Sequence, residues 1–257
     1  MSEPLLVDLG NTRLSWAGPA ELEAGLAEAV VHGGRVDEGL LERCWGERTV
    51  PERVVVGNVA GPVAAAAVSG WVRRRWGVEP RFLRAGSSAG GVTNGYRQPE
   101  RLGIDRWAAL VAAFQTGLLP ACVIDAGSAI TVDLLAEDGV HLGGYIVPGL
   151  PAMARALQGA APALSVAAES GAGDDAAPGR DTEEAVAAGT RLAVAGLVER
   201  AMVVAAARFG QPPHCLLTGG DAGRLGAPSL EGCRQLPMLV LQGLGLLDAG
   251  ERTRKEG

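Results

Sequence analysis

Two short segments carry the densest chemistry in this sequence. Val7-Asp8-Leu9-Gly10-Asn11-Thr12 and Ile124-Asp125-Ala126-Gly127-Ser128-Ala129 share one plan: a buried strand, then Asp-x-Gly, then a small polar residue, then a returning strand. Glycine in such a turn lets the backbone approach a ligand closely, and turn N–H groups can point at phosphate oxygens. An aspartate at a strand end is an oxygen ligand for hydrated magnesium or another cation. Asn11, Thr12 and Ser128 add neutral hydrogen-bonding groups. Two such turns would clamp a polyphosphate from opposite sides. Thr218-Gly219-Gly220-Asp221 is a third close-approach turn, suited to a nucleoside. Singly, each is ordinary turn chemistry; their repetition points to a ligand.

Leu102-Gly103-Ile104-Asp105-Arg106-Trp107 places an acid in the first turn of a predicted helix. One reading is a helix-terminus charge interaction of about 0.3–1 kcal/mol. The other is a carboxylate aimed at a substrate hydroxyl, beside an arginine able to grip a carboxylate with two parallel bonds. Spacing leaves both open.

Composition removes several alternatives. Of 23 basic residues only Lys255 is lysine. A P-loop needs its lysine after GxxxxG, and Schiff-base catalysis needs a buried one. His32, His141 and His214 lie far apart, so no HExxH zinc site exists. Cys44, Cys122, Cys215 and Cys233 show no CxxC spacing and read as small apolar residues in a reducing cytosol. Net charge is −6, and the only basic run is Arg73-Arg74-Arg75, which reads as a solvated helix end, so no nucleic acid is expected. No apolar stretch approaches the ~18 residues of a membrane span, and no membrane partner is expected. The opening residues lack the cationic region of a signal peptide, so the expected compartment is the cytoplasm.

The elements that must hold these residues follow from pattern. Strands are predicted at 5–7 and 13–17, joined as a hairpin at Gly10-Asn11. A helix is expected at 20–29, a strand at 54–56, a helix at 62–76, a strand at 81–83, a turn-rich stretch at 86–95 and a helix at 102–115. The plan then restarts with strands at 122–124, 130–135 and 140–147, a turn at Asp138-Gly139 and a helix through about 158. Residues 165–180 read as a small polar loop. Asp181 or Thr182, with Glu184 behind, caps a helix to about Arg208. Strands at 215–217 and 238–241 and a short helix close the chain. Asp8 and Asp125 are 117 residues apart, near half the length, which predicts two similar halves, 1–117 and 118–257, facing each other across a cleft.

The ordered landmarks resemble the type III pantothenate kinase family, relatives of Bvg accessory factor proteins. They are Asp8-x-Gly10-Asn11-Thr12, and Tyr96-x-x-Pro99 with Leu102-Gly103-x-Asp105-Arg106-Trp107. Asp125-x-Gly127-Ser128-Ala129-x-Thr131-x-Asp133 and Gly143-Gly144-x-Ile146-x-Pro148-Gly149 follow. Then come Thr182 with Gly189, Thr218-Gly219-Gly220-Asp221, and Leu239-Val240-Leu241-x-Gly243-Leu244. The resemblance implies a duplicated α/β fold of the actin/hexokinase (ribonuclease H-like) type. It implies ATP-dependent phosphorylation of pantothenate, the first step towards coenzyme A. Residues 8–15, including Asp8, Gly10, Asn11, Thr12 and Ser15, would hold ATP phosphates from the first half and Ser128 from the second. Gly219 and Gly220 would approach the adenosine. Asp105 would be the general base. Tyr96, Gly103, Ile104, Asp105, Arg106 and Thr182 would contact pantothenate. Asp125 would bind potassium or ammonium, and Asp8 magnesium through water. A homodimer is implied.

Two positions depart from the family pattern. Members commonly have lysine where this chain has Ser15, and many have threonine where it has Ser128. The second change keeps the hydroxyl. The first removes a charge that would reach ATP phosphates, unless Ser15 lies on the outer face of its strand. The alternatives are a catalytically impaired regulatory or binding protein of the same fold, which Ser15 favours, and a kinase of another small hydroxy acid.

Overall fold

The computed structural model describes residues 3–161, 177–225 and 232–256; residues 165–176 of the expected polar loop lie outside the described residues. The chain forms two compact units, Met1–Thr116 with Met238–Gly257, and Gly117–Pro237.

The first unit opens with β1 (Leu5–Leu9), β2 (Arg13–Ala17), α1 (Pro19–Glu23), β3 (Glu28–Val31), α2 (Glu38–Trp45), β4 (Val54–Asn58), α3 (Pro62–Trp76) and β5 (Arg81–Phe82). A small hairpin of β6 (Ser88–Ala89) and β7 (Val92–Thr93) leads to α4 (Ile104–Gln115). The second unit holds β8 (Ala121–Ala126), β9 (Ala129–Leu135), β10 (His141–Pro148), α5 (Leu150–Ala160), α6 (Thr182–Phe209), β11 (His214–Thr218) and β12 (Arg234–Gln235). Helix α7 (Leu239–Glu256) returns to the first unit.

The two sheets have one topology. Their orders are β3-β2-β1-β4-β5 and β10-β9-β8-β11-β12. In each, the first three strands in chain order pair antiparallel and the last two add in parallel. This is the duplicated actin/hexokinase-like arrangement. Asp8 and Asp125 occupy matching places, near the end of each central strand.

Local chemistry explains most elements. Helix α3 starts with Pro62 after Gly61 and ends at Gly77 with φ of 67°, the expected asymmetry of helix ends. Its terminal arginines meet acids: Arg73 with Glu79, Arg74 with Glu38, Arg75 with Glu42. The triplet is therefore a solvated, acid-paired helix end. Alternation along β1 and β2 sends Val7, Leu9, Leu14 and Trp16 to one face, against α2 and α3. There Trp16, Trp45, Trp71 and Trp76 pack with ring centroids 4.8 to 6.0 Å apart.

On the other face α7 packs closely. A Cβ at Gly57 would lie 2.9 Å from Leu244, and one at Gly243 would lie 1.9 Å from the Ala108 carbonyl of α4. The buried carboxylate of Asp248 accepts from Arg53 Nε and Arg81 Nη1, each at 2.9 Å. Replacing Asp248 by alanine leaves two arginines without their shared acceptor. We expect a loss of about 3 kcal/mol, the low end for a broken buried pair because both arginines remain partly solvated. Urea unfolding with an unchanged slope would measure it, and a loss under 1 kcal/mol would show that packing alone holds α7.

Three expectations are corrected. Residues 20–29 are not one helix. Gly25, with φ of 73°, follows the end of α1, and Glu28–Val31 pairs with β2 as an edge strand, where β-branched Val30 and Val31 fit. Residues 238–241 are not a strand; apart from Met238 they begin α7, because a short buried apolar run carries no period of its own. Finally, Cys215 and Cys233 form a disulfide, so only Cys44 and Cys122 are free thiols. Burial pushes the Cys122 thiol up to about 12, leaving it inert at neutral pH.

The disulfide closes a segment with sequence separation 18 that contains the Thr218-Gly219-Gly220-Asp221 turn. Closing such a loop stabilises by about 3 kcal/mol through the unfolded chain. Replacing both cysteines by serine should lower the melting temperature of the oxidised protein. Adding a dithiol should lower the native protein's melting temperature and leave the double variant's unchanged.

Candidate active site

The residues singled out by sequence gather into a cluster on the first strand pair, a cluster at the start of α4, and a cluster of turns in the second unit.

In the first, β1 ends at Leu9 and Gly10 turns the chain. The Gly10 N–H donates to the Arg13 carbonyl at 3.0 Å, and a Cβ there would stand 3.1 Å from that same oxygen. His32 braces the turn. Its Nδ1 accepts from the Gly34 N–H at 3.0 Å, so its Nε2 carries the proton and donates to the Gly10 carbonyl at 2.9 Å. The backbone N–H of His32 also donates to the Thr12 carbonyl. Asn11 is exposed and Thr12 half-buried at the tip. Asp8 pairs in register with Ser15 on one side and Gly57 on the other. Paired residues share a face, so half-buried Ser15 lies on the side of Asp8 and not on the opposite face.

In the second, Gly103 caps α4, placing Asp105 in its first turn, half-buried. Its Oδ1 accepts from the Arg106 N–H at 2.8 Å. A Cβ at Gly103 would lie 2.4 Å from that Oδ1, so this position must be glycine for the carboxylate to sit there. The N–H groups of a helix's first turn, which lack intrahelical carbonyl partners, also favour negative charge there. Arg106 is buried, donates to the Tyr96 hydroxyl at 2.7 Å, and holds its guanidinium carbon 5.4 Å from the ring centre. Ile104 is buried as well. Asp105, Arg106, Tyr96 and Gly103 thus form one polar group.

In the second unit, Asp125 pairs in register with Thr131 and Thr218. The Gly219 turn folds over the Asp125 turn: Asp221 N–H donates to the Ala126 carbonyl at 2.9 Å. Gly219 has φ of 98°, and a Cβ there would lie 2.4 Å from Asp125 Oδ1 and 2.3 Å from Ala126 O. Ser128 sits beside the start of α5: Gly149 N–H donates to its carbonyl at 3.0 Å, and a Cβ at Gly149 would lie 2.2 Å from Gly127 O. Thr182, the first residue of α6, is exposed and belongs to this unit, apart from the Tyr96 group by position in the chain. Asp181 is the cap, accepting from Glu184 N–H at 2.8 Å.

Among the described residues, no three His, Cys, Asp or Glu side chains gather to hold a metal ion. A magnesium ion carried by polyphosphate keeps several waters and needs only one or two carboxylates.

A sequence profile of the type III pantothenate kinases matches residues 4–204. The chain belongs to the type III pantothenate kinase family. The enzyme of that name from Nitrosococcus oceani is 36% identical over 248 residues, covering 93% of this chain and 91% of that protein. The one from Halorhodospira halophila is 38% identical over 245 residues, covering 93% and 95%. Among solved structures, a Campylobacter jejuni protein described as a Baf family transcriptional activator superposes with a TM-score of 0.62 at 19% identity, covering 97% of this chain and 99% of that one; it bears on the fold alone. Family membership makes the chain a small-molecule kinase. Sequence reasoning missed His32, a lone histidine with no local signal, and Asn94, an asparagine two residues before Tyr96.

Proposed function

We propose that this chain transfers the γ-phosphoryl group of ATP to pantothenate, with magnesium on the nucleotide. The family match carries the reaction, and the Tyr96–Arg106–Asp105 group supports the substrate. A buried arginine oriented by a phenol suits a small hydroxy acid, and Asp105 beside it suits the hydroxyl to be phosphorylated. Gly103 and Ile104 would shape this pocket, and Thr182 would add a contact. Asp8, Gly10, Asn11, Thr12 and Ser15 would serve ATP phosphates in the first unit. Ser128 would do so in the second, with Gly219 and Gly220 against the adenosine. Asp125 would hold potassium or ammonium.

In a loose phosphoryl-transfer transition state little proton removal is needed early, so positioning and charge neutralisation carry most of the rate. A serine at 15, in register with Asp8, offers ATP phosphates a hydroxyl but no positive charge, so a high ATP requirement is the expected kinetic consequence. The family resemblance implies a homodimer, for which exposed Leu142, Tyr145 and Ile146 on edge strand β10 offer apolar surface; a monomer mass by light scattering would overturn it. None of the described helices is long and apolar enough to cross a membrane. We place the chain in the cytoplasm, where thiols are kept reduced, so the state of Cys215–Cys233 would follow the compartment.

The test is incubation with magnesium-ATP, potassium and either pantothenate or other hydroxy acids, following ADP. ADP formed with pantothenate supports the proposal. ADP formed only with another acid would name a different substrate. No ADP under any condition would favour a binding protein of the same fold.

A further inference from the structure

Tyr96 follows a hairpin whose strands contribute only two residues each, so little regular structure fixes it. A buried polar side chain does more. Asn94 is 8% exposed. Its Nδ2 donates to the Gly86 carbonyl at 3.0 Å and the Pro99 carbonyl at 3.1 Å, while its Oδ1 accepts from the Tyr96 N–H at 3.0 Å. Its own N–H donates to the Ser87 carbonyl at 2.9 Å. One side chain therefore ties the start of the hairpin, the start of the turn at Pro99–Arg101, and the backbone of Tyr96 between them. The hairpin tip is held separately on α4, where Gln115 Nε2 donates to the Gly90 carbonyl at 2.8 Å. The Gln115 bond fixes the hairpin to the helix that carries Asp105 and Arg106, and Asn94 ties the hairpin to the turn that leads into that helix.

We infer that Asn94 is a positioning residue for the hydroxy-acid pocket, setting Tyr96 so that its hydroxyl meets Arg106. The inference rests on the reading that Tyr96 serves pantothenate. Asparagine suits the place because it donates twice and accepts once from a single planar group. Aspartate would aim an acceptor oxygen at two carbonyls, and alanine would remove all three side-chain bonds, leaving the Pro99 carbonyl only its bond from the Leu102 N–H.

Initial rates with pantothenate and ATP varied separately would test this. Asn94→Ala should raise KM for pantothenate about tenfold, with KM for ATP within about twofold. Tyr96→Phe should also raise KM for pantothenate. The double variant should be no worse than Asn94→Ala, since residues acting through one contact are not additive. Asn94→Asp, which keeps the side-chain shape, should reproduce the selective KM rise if the alanine variant folds poorly. Multiplying effects in the double variant would overturn the inference, as would equal rises in both KM values. So would unchanged pantothenate KM in both Asn94 variants while Tyr96→Phe raises it. An unaffected Tyr96→Phe would remove the pantothenate reading of Tyr96 itself, and the inference with it.

Discussion

Asp105→Asn should lower kcat by about 10²–10⁴-fold, the usual worth of a positioned acid–base group, while pantothenate still binds within a few-fold of normal. The geometry separates the two effects. Asparagine has the same shape and keeps an oxygen for the Arg106 N–H that Asp105 Oδ1 accepts at 2.8 Å. The start of α4, and with it Arg106 and Tyr96, should therefore hold. What is lost is the negative charge and the site that receives the hydroxyl proton. A carboxylate is a weak base. Its main service is to accept a hydrogen bond from the attacking hydroxyl and take the proton late, which fits a loose transition state. ADP release in single and multiple turnover, with calorimetric titration of pantothenate, would measure both quantities. A variant with unchanged kcat would remove Asp105 from the chemistry. One that lost binding and turnover equally would make it a substrate contact only.

Gly219→Ala should raise KM for ATP by about 10- to 100-fold, equivalent to about 1.4–2.8 kcal/mol. A side chain there meets two penalties. The backbone has φ of 98°, and the new Cβ would lie 2.3 to 2.5 Å from Ala126 O, Asp125 Oδ1 and Ala126 N. No rotamer relieves contacts made by a Cβ, so either the Gly219 turn lifts or the Asp125 turn recedes. Both changes would disturb groups that we assign to ATP and the monovalent cation, and the variant's potassium dependence should shift too. Gly223 provides the control. A Cβ there meets nothing within 4 Å, so Gly223→Ala should leave KM for ATP within about twofold. Equal behaviour of the two variants would show that the close approach at Gly219 has no part in nucleotide binding.

The two Asp-x-Gly turns and the Asp105 helix start were legible in the sequence because their chemistry is local. A strand ending in Asp-x-Gly, or an acid one residue into a helix, needs only its neighbours. The repeat at 117 residues then implied two sheets of one design, which the matching strand orders bear out. Edge strand β3 was not legible, because Glu28–Val31 becomes a strand only by pairing with β2. Nor was the first turn of α7, since Leu239-Val240-Leu241 is equally apolar as a strand or a buried helix turn. Gly243 in this helix serves the close approach to Ala108. Asn94 and His32 gave no signal for a related reason. Their roles lie in hydrogen bonds to carbonyls several residues or more away, and composition does not record where those carbonyls point.

By itself the sequence determined the inventory. It supplied paired glycine turns for phosphate, carboxylates at strand ends, an acid with an arginine at a helix start, and almost no lysine. Backbone turn preferences and charge are properties of short segments, so they can be read in order along the chain. The tertiary structure alone decided the face on which Ser15 stands, the pairing of Cys215 with Cys233, the return of α7 to the first unit, and the polar ties that fix Tyr96. Each depends on register or packing between segments far apart in the chain. There, a shift of one residue would send a side chain to the opposite face of its sheet.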